Sequence, residues 1–182
     1  MRITGGELRG RQVKVPKGTI RPAMDRMRES VFASLGDISG KSFLDIFSGS
    51  GIIALEAASR GAEYIEAVEA DPLKRSTLLE NVMISPVRIH CHFMSAELYV
   101  KRAKRRFDYI FCDPPFPYKY KWELLKCIAA SDLMSEGSCL LLHRPREDFC
   151  DSPSANLFLK NSKEFGRSVV NFYDFFITEN RE

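Results

Sequence analysis

The strongest constraint on the fold is an alternation of short apolar runs with helical segments, which begins near residue 42. Apolar runs typical of buried strands occupy residues 43–47, 64–69, 87–92, 107–112 and 139–143. Helical patterns lie between them, at about residues 52–60, 71–83 and 122–130. A chain in which strands and helices alternate predicts a mostly parallel sheet with helices on both faces. In such sheets ligands bind beyond the carboxyl ends of the strands.

The two ends of the chain add a helix and a hairpin to this plan. Apolar residues have helical spacing within residues 25–35. Residues 156–160 and 169–177 predict two strands that form a hairpin. The chain has 182 residues, and ordinary domains have about 150. We therefore expect residues 1–182 to form one domain.

Composition argues against several classes of protein. The apolar runs, such as residues 140–142, are much shorter than the roughly 20 residues that span a bilayer. The N-terminus has no apolar stretch resembling a secretory signal. The five cysteines contain no C-x-x-C pair, which argues against a zinc site. We expect a soluble, cytoplasmic protein with no resident metal, and a monomer because no exposed apolar stripe is obvious.

Positive charge is concentrated at the N-terminus. Residues 1–29 contain eight Arg and Lys residues against three acidic residues, whereas the rest of the chain has two more acidic than basic residues. This basic arm favours a polyanion such as nucleic acid, with Arg2, Arg9 and Arg11 as candidate phosphate contacts. A second basic cluster at residues 101–106 adds Lys101, Arg102 and Lys104. The cluster is equally typical of a solvated helix end, where cations meet the negative end of the helix dipole.

A glycine-rich segment follows the first predicted strand and indicates a nucleoside-type cofactor. Gly49, Gly51 and Ala54 fit the pattern G-x-G-x-x-A, in which the glycines allow a tight turn and close approach of a ligand. Glu69 ends the second predicted strand, and its carboxylate is placed to accept hydrogen bonds from both hydroxyls of a ribose. Asp71 is a second candidate, but as the residue before Pro72 it suits a helix cap better.

The identity of this cofactor is narrowed by Asp45. A pyrophosphate, as in NAD, prefers exposed N–H groups at a helix N-terminus. S-adenosylmethionine carries no phosphate and ends in an amino acid, so that a carboxylate inside the glycine-rich segment suits its ammonium group. Asp45 therefore favours S-adenosylmethionine over NAD, although the glycine pattern alone does not separate the two.

The most specific motif of the chain is Asp113-Pro114-Pro115-Phe116, at the end of the fourth predicted strand. Two consecutive prolines hold their φ angles near −65° and donate no backbone hydrogen bond, which makes a stiff turn with free carbonyls. Asp113 and the Pro114 carbonyl can each accept one hydrogen of an exocyclic amine on a planar base. Phe116 can stack on that base, which is worth roughly 1–3 kcal/mol. The motif therefore predicts methyl transfer to an amine, in which positioning provides most of the catalysis.

Other reactive side chains suit structural roles better. Cys112 could be the nucleophile of a C5-pyrimidine methyltransferase, but it lies inside an apolar strand and is expected in the core. His90 and His92 could form a metal pair, but no third ligand is near them in the sequence. His143 ends the fifth predicted strand, and we assign it no role.

With these residues in view, the sequence resembles the RsmD-like family of 16S ribosomal RNA guanine-N2 methyltransferases. The likeness runs over almost the whole chain. Its motifs are Arg2-Ile3-Thr4-Gly5-Gly6 with Arg9-Gly10-Arg11, the segment 21–29, the segment 45–51, the tetrapeptide 113–116, and Phe165-Gly166.

The resemblance implies a Rossmann-like methyltransferase fold with a seven-stranded sheet whose last strand is antiparallel. It implies S-adenosylmethionine as methyl donor and the 2-amino group of guanine 966 of 16S rRNA as acceptor, within the small ribosomal subunit or its assembly intermediate. The cofactor contacts implied by this likeness, together with those proposed above, are Arg21, Asp25, Arg28, Asp45, Phe47, Ser48, Gly49, Ser50, Gly51, Glu69, Ala70, Ser95 and Ala96. The sequence departs from the family at two positions: Ala23 replaces a Thr beside the cofactor, and Ser95, one of these contacts, replaces an Asp or Asn facing adenine.

Two other functions remain open from the sequence. A DNA adenine-N6 methyltransferase would use the same tetrapeptide, because the motif grips any exocyclic amine, but the chain has no separate domain for reading a DNA sequence. A catalytically silent RNA-binding or ribosome-assembly protein could use the same scaffold, although the intact Asp113 and Glu69 argue against it.

Overall fold

The computed structural model describes residues 1–15, 23–149 and 153–177. Its seven strands are β1 (Ser42–Ile46), β2 (Tyr64–Val68), β3 (Ile89–His92), β4 (Tyr109–Cys112), β5 (Cys139–Pro145), β6 (Leu157–Phe165) and β7 (Ser168–Phe175). Its helices are α1 (Ala23–Leu35), α2 (Ile52–Ser59), α3 (Arg75–Val82), α4 (Ala96–Arg102) and α5 (Lys121–Ala129), with a 3-10 turn at Pro72–Lys74. No helix among these residues is long and apolar enough to cross a bilayer.

The strands form one sheet in the order β3-β2-β1-β4-β5-β7-β6. β1 to β5 are parallel to one another, whereas β7 lies antiparallel between β5 and β6. This arrangement confirms the mostly parallel, seven-stranded sheet with an antiparallel last strand that the family resemblance implies. Because the order reverses between β1 and β4, the carboxyl ends of these two strands are where a ligand crevice is expected.

Both faces of the sheet are covered, as the alternation predicts. Phe43 on β1 packs into the cluster formed with α1 and α2, and Phe111 on β4 joins it on that face. Leu44 and Ile46, the alternate residues of β1, pack into the cluster formed with α4 and α5. Alternate strand residues therefore face opposite sides of the sheet and are buried against different helices. Because both faces are covered, these strands are apolar throughout.

The described part of the basic N-terminal arm is hydrogen-bonded to helices of the sheet's cover. Residues 1–13 form a small hairpin with an antiparallel bridge between Arg2 and Gln12. The Leu8 N–H donates to Ser59 Oγ at 2.8 Å, at the end of α2. The Lys14 N–H donates to Asn81 Oδ1 at 3.0 Å, at the end of α3. These hydrogen bonds fix both ends of the hairpin to the helices of one face.

Several boundaries differ from the sequence predictions for local reasons. The predicted helix at 71–83 is divided, because Asp71 caps the 3-10 turn before α3 begins. α4 lies between β3 and β4, where the sequence indicated only a basic helix end. It has seven residues, too few for a clear apolar period, and its signal is the cap Ser95. β6 extends to Phe165, past the predicted end at residue 160.

Candidate functional site

The residues predicted to carry function lie together at the carboxyl ends of neighbouring strands. Parallel pairing continues one step beyond the strands: the Ser48 N–H donates to the Val68 carbonyl at 2.9 Å, and the Asp113 N–H donates to the Ile46 carbonyl at 3.2 Å. The loops after β1 and β4 therefore leave the sheet side by side. Glu69, at the end of β2, forms the other wall of the same crevice.

The loop after β1 has the close backbone turns that the glycine pattern predicts. Gly51 has a φ of 81°, and a Cβ there would lie 2.6 Å from Leu78 Cδ1. The carbonyl of Ser50 accepts a hydrogen bond from Asn81 Nδ2 at 2.8 Å. Asn81 also bonds to the backbone of Lys14, so it ties the N-terminal hairpin to this loop. No sequence pattern pointed to Asn81.

Phe47 is strained and marks the start of this loop. Its φ of 65° is the only positive value of a residue other than glycine in the described chain. This conformation costs about 1–3 kcal/mol and persists only where the surroundings enforce it. The Phe47 ring packs against Tyr118, with 5.3 Å between ring centroids. The loop after β1 and the loop after β4 are thus in contact through their aromatic rings.

Asp45 lies under the glycine-rich loop and is buried. Its Oδ2 accepts hydrogen bonds from Ser48 Oγ at 2.6 Å and from the Ala54 N–H at 3.2 Å. Burial raises the pKa of Asp45 from 3.8 to about 7, and the charges of Asp113 and Glu69 add to this effect, while the two hydrogen bonds oppose it. Three carboxylates therefore face one crevice, which favours a positively charged ligand.

Glu69 is also buried, with an exposure of only 5%. Its Oε2 accepts a hydrogen bond from the Gly49 N–H at 2.8 Å, and its Oε1 accepts one from the Asp71 N–H at 2.8 Å. The carboxylate therefore spans the gap between the glycine loop and the 3-10 turn. Asp71 Oδ1 accepts from the Leu73 N–H at 2.9 Å, which confirms the prediction that Asp71 caps a helix.

The turn after β4 is closed by a hydrogen bond from the Tyr118 N–H to the Pro115 carbonyl at 2.8 Å. Asp113 keeps 23% of its side chain exposed, and its Oδ1 lies 2.8 Å from Nδ1 of His143 on β5. The rings of Phe116 and His143 form a T-shaped pair with 5.6 Å between their centroids. His143 is thus a direct partner of the turn, although we assigned it no role from the sequence.

Cys112 lies in the core, as predicted. It is completely buried, and burial together with the charges of Asp45 and Asp113 raises the pKa of its thiol. A neutral, inaccessible thiol is not a nucleophile.

The two histidines considered for metal binding have other neighbours. His92 Nε2 lies 2.5 Å from Glu66 Oε2, and the His90 ring stacks on Tyr64. Within residues 1–15, 23–149 and 153–177, no group of three His, Cys, Asp or Glu side chains could hold a metal.

Other predicted cofactor contacts are held by the fold itself. Ser95 Oγ accepts from the Leu98 N–H at 3.2 Å and so caps α4, while Ala96 is buried behind it. Ala70 is exposed next to Glu69. The Arg28 guanidinium, fully buried, donates to Glu56 Oε1 at 3.1 Å and to the Arg2 carbonyl at 2.9 Å, and pairs with Asp25. Arg21 lies outside the described residues. A cofactor contact by any of these residues stays a prediction.

The predicted phosphate contacts fall into two groups. Arg2, Arg9 and Arg11 are exposed on the N-terminal hairpin. Lys101, Arg102 and Lys104 are exposed in and after the last turn of α4. α4 starts at the carboxyl end of β3 and runs back along the sheet. The end of this cluster therefore lies near the amino ends of the strands. There the Arg105 guanidinium lies 3.5 Å from the ring centre of Tyr64, at the start of β2.

Comparison with known proteins agrees with this geometry. The profile of the family described as "Conserved hypothetical protein 95" matches residues 1–174. "Putative rRNA methyltransferase YlbH" of Bacillus subtilis is 29% identical over 180 residues, covering 95% of this chain and 98% of the relative. "Ribosomal RNA small subunit methyltransferase D" of Escherichia coli is 27% identical over 176 residues, covering 95% and 89%.

A solved structure gives the same answer for the fold. "Putative methyltransferase yhhF" from Escherichia coli superimposes with a TM-score of 0.86 at 28% identity, over 96% of this chain and 97% of that one. The fold is therefore that of the Rossmann-like methyltransferases. The chain belongs to the family described as "Conserved hypothetical protein 95", which is the RsmD-like family that its sequence resembles.

Proposed function

We propose that this protein methylates the exocyclic 2-amino group of a guanine in small-subunit ribosomal RNA, with S-adenosylmethionine as methyl donor. One observation carries the proposal: the Asp113-Pro114-Pro115-Phe116 turn lies beside an acidic crevice walled by Asp45 and Glu69. A site for a planar amine therefore adjoins a site for a cationic, nucleoside-containing cofactor. The names of the full-length relatives support ribosomal RNA as the substrate.

The donor set fits S-adenosylmethionine better than a dinucleotide. When bound, this cofactor supplies an electrophilic methyl group on a positively charged sulfur, and it has a second positive charge on its ammonium. Asp45 uses Oδ2 for both of its hydrogen bonds within the loop, so Oδ1 is the oxygen we assign to the ammonium. Glu69 would exchange a backbone hydrogen bond for the ribose hydroxyls. A pyrophosphate would instead lie beside Asp45, Glu69 and Asp113, and the charged carboxylates among them would repel it.

On the acceptor side, the chain's own residues position the amine. Asp113 and the Pro114 carbonyl each accept one amino hydrogen and so direct the nitrogen lone pair toward the methyl group. Phe116 stacks on the base. No side chain has to abstract a proton before the transfer, because the methylated amine is itself acidic. Catalysis then comes mostly from holding the two reactants in line at short distance.

We assign recognition of the RNA backbone to the exposed arginines of the N-terminal hairpin, Arg2, Arg9 and Arg11. The cluster at residues 101–106 follows α4 toward the amino ends of the strands, and we assign it phosphate contacts farther along the RNA. The proposed partner is 16S rRNA within the small subunit or its assembly intermediate. We also propose that the enzyme is a monomer and acts in the cytoplasm. Each lost phosphate contact should flatten the salt dependence of binding by about 0.7–0.9 in log–log slope. An unchanged slope after alanine replacement of the three arginines would remove the hairpin from the interface.

The test of the reaction is methyl transfer from labelled S-adenosylmethionine to small subunits that lack the modification. Protein-free rRNA and duplex DNA serve as alternative substrates. Asp113→Ala is compared with Asp132→Ala, which changes an exposed carboxylate after α5. We expect N2-methylguanosine in subunits treated with the wild type or with Asp132→Ala, and none with Asp113→Ala. N6-methyladenosine would assign the protein to adenine instead. Cofactor binding without any labelled product would identify a silent RNA-binding protein.

A further inference from the structure

His143 is a buried titratable residue that the proposed reaction does not yet use. It lies on β5 directly beyond Leu142, which pairs with Cys112 in the parallel register of β4 and β5. That register places His143 next to Asp113, and His143 Nδ1 lies 2.8 Å from Asp113 Oδ1. Only 3% of His143 is exposed. The pair therefore joins the side chain that grips the amine to the central part of the sheet.

The surroundings of the imidazole indicate which of its nitrogens carries the proton. His143 Nε2 is buried and has no hydrogen-bond partner among the described residues. A buried N–H without an acceptor is destabilising, so the proton is better placed on Nδ1. Nδ1–H then donates to Asp113 Oδ1, and the carboxylate is held at one oxygen. The same ring holds Phe116 through an edge-on contact at 5.6 Å between centroids.

We propose that His143 is a positioning residue for the methyl transfer, an inference that rests on the proposed function. By holding Oδ1 of Asp113, His143 leaves Oδ2 to accept a hydrogen of the acceptor amine beside the Pro114 carbonyl. Its T-shaped contact with Phe116 also sets the angle at which the Phe116 ring meets the base. One buried imidazole thereby fixes both the hydrogen-bond acceptor and the stacking surface of the acceptor site.

The role follows from what the transfer requires. The nitrogen lone pair forms the new N–C bond while the S–C bond breaks and its electron pair stays on sulfur. The N–H proton then leaves to Asp113 Oδ2, and from there to solvent, which reaches the partly exposed carboxylate. A carboxylate that rotates freely would hold the amine away from the line of attack. A misplacement of about 1 Å can cost roughly 100-fold in rate.

Three substitutions separate this role from a structural one. In His143→Asn the amide nitrogen takes the place of Nδ1 and can still donate to Asp113. In His143→Gln the amide nitrogen reaches the place of Nε2, and in His143→Leu no donor remains. We expect kcat with small subunits to fall about 10- to 100-fold for His143→Leu and His143→Gln, but less than about fivefold for His143→Asn. KM and Kd for S-adenosylmethionine should stay within about threefold, because Asp113 and Phe116, which the ring contacts, belong to the proposed acceptor site.

Two outcomes of this series would overturn the proposal. One is a His143→Leu variant that keeps the wild-type kcat. The other is a His143→Asn variant that folds with the wild-type Tm yet loses as much kcat as His143→Leu. If only His143→Leu folds poorly, the comparison of His143→Asn with His143→Gln decides. This comparison remains usable because Asn retains the donor and is smaller than His.

A second readout does not depend on the reaction. Proton–nitrogen correlation NMR of the free protein reports which imidazole nitrogen is protonated. We expect Nδ1–H for His143 in the wild type, and a shift toward Nε2–H in Asp113→Ala. Protonation at Nε2 in the wild type would refute the positioning contact even if guanine is methylated. Nδ1–H in a protein that methylates no amine would instead refute the proposed function and leave the contact standing.

Discussion

Replacing Asp45 by Asn should change how the stability of the protein depends on pH. Burial raises the pKa of Asp45 from 3.8 to about 7, reinforced by the charges of Asp113 and Glu69. In the unfolded chain the same carboxyl is expected to titrate near pH 3.9. The folded protein therefore holds a proton on Asp45 across a pH range in which the unfolded chain has lost it.

The sign and the size follow from this difference. A carboxyl whose folded pKa is raised contributes stability that is fully present below its unfolded pKa. That stability is lost as the pH rises through the folded pKa. Between about pH 5 and pH 7 the free energy of unfolding should fall by about 1.4 kcal/mol per pH unit. Over this window the loss is roughly 2 to 3 kcal/mol, and the dependence levels off above about pH 7.

The assay is urea denaturation of wild type and Asp45→Asn from about pH 5 to pH 8, with Asp37→Asn as control. The new amide can still accept from Ser48 and Ala54 but does not titrate, so the stability of Asp45→Asn relative to wild type should increase with pH. Asp37 is exposed, and hydrogen bonds from Ser39 lower the pKa of its carboxyl, so its variant should follow the wild type over this range. Parallel curves for wild type and Asp45→Asn would refute the argument, whatever the constant offset between them.

Three further predictions concern the packing and charges around the site. Gly51→Ala should lower the free energy of unfolding by about 1–3 kcal/mol more than Gly137→Ala in urea denaturation. Both glycines have φ near 80°, but only the new Cβ at residue 51 meets Leu78. Arg28→Leu should cost about 3–5 kcal/mol by the same assay, because it leaves the buried Glu56 without one of its cations. Lys14→Ala, which removes an exposed ion pair with Glu80, should cost less than about 1 kcal/mol. Equal losses for the two variants would argue against a stabilising role of the buried pair. Glu69→Gln should weaken binding of S-adenosylmethionine about tenfold in calorimetry, whereas equal weakening by Asp71→Asn, which alters the cap and the ion pair with Lys74, would argue against a ribose contact.

The sheet was predictable because its signals are local. Each buried strand is an apolar run, and each strand end carries a polar or glycine-rich segment. Parallel strands alone therefore bring Asp45, Glu69 and Asp113 to the same end of the sheet. The cap at Asp71 was predictable in the same way, from two adjacent residues. The antiparallel β7 came from family resemblance, and the order of the strands came only from the structure, because no spacing in the chain specifies which strands are neighbours.

The parts that were not predicted are contacts between side chains far apart in the sequence. Asn81 reaches Ser50 across 31 positions and Arg28 reaches Glu56 across 28, although each residue alone resembles an ordinary helix residue. Their polar groups need partners only because the fold buries them, and burial is a property of the assembled layers. A sequence pattern cannot reveal a partner whose distance is set by how two helices pack.

His143 shows that the register of two strands, had it been known, would have identified a further residue of the site. It ends an apolar run in the sequence, as Asp113 follows another, and neither position identifies the other. If β4 and β5 are neighbours in parallel register with Cys112 opposite Leu142, the next residues of the two strands must lie side by side. A single register therefore converts a histidine without a role into the residue that holds the amine-binding carboxylate. For a site built from strand ends, pairing register is thus the quantity that links the sequence to the chemistry.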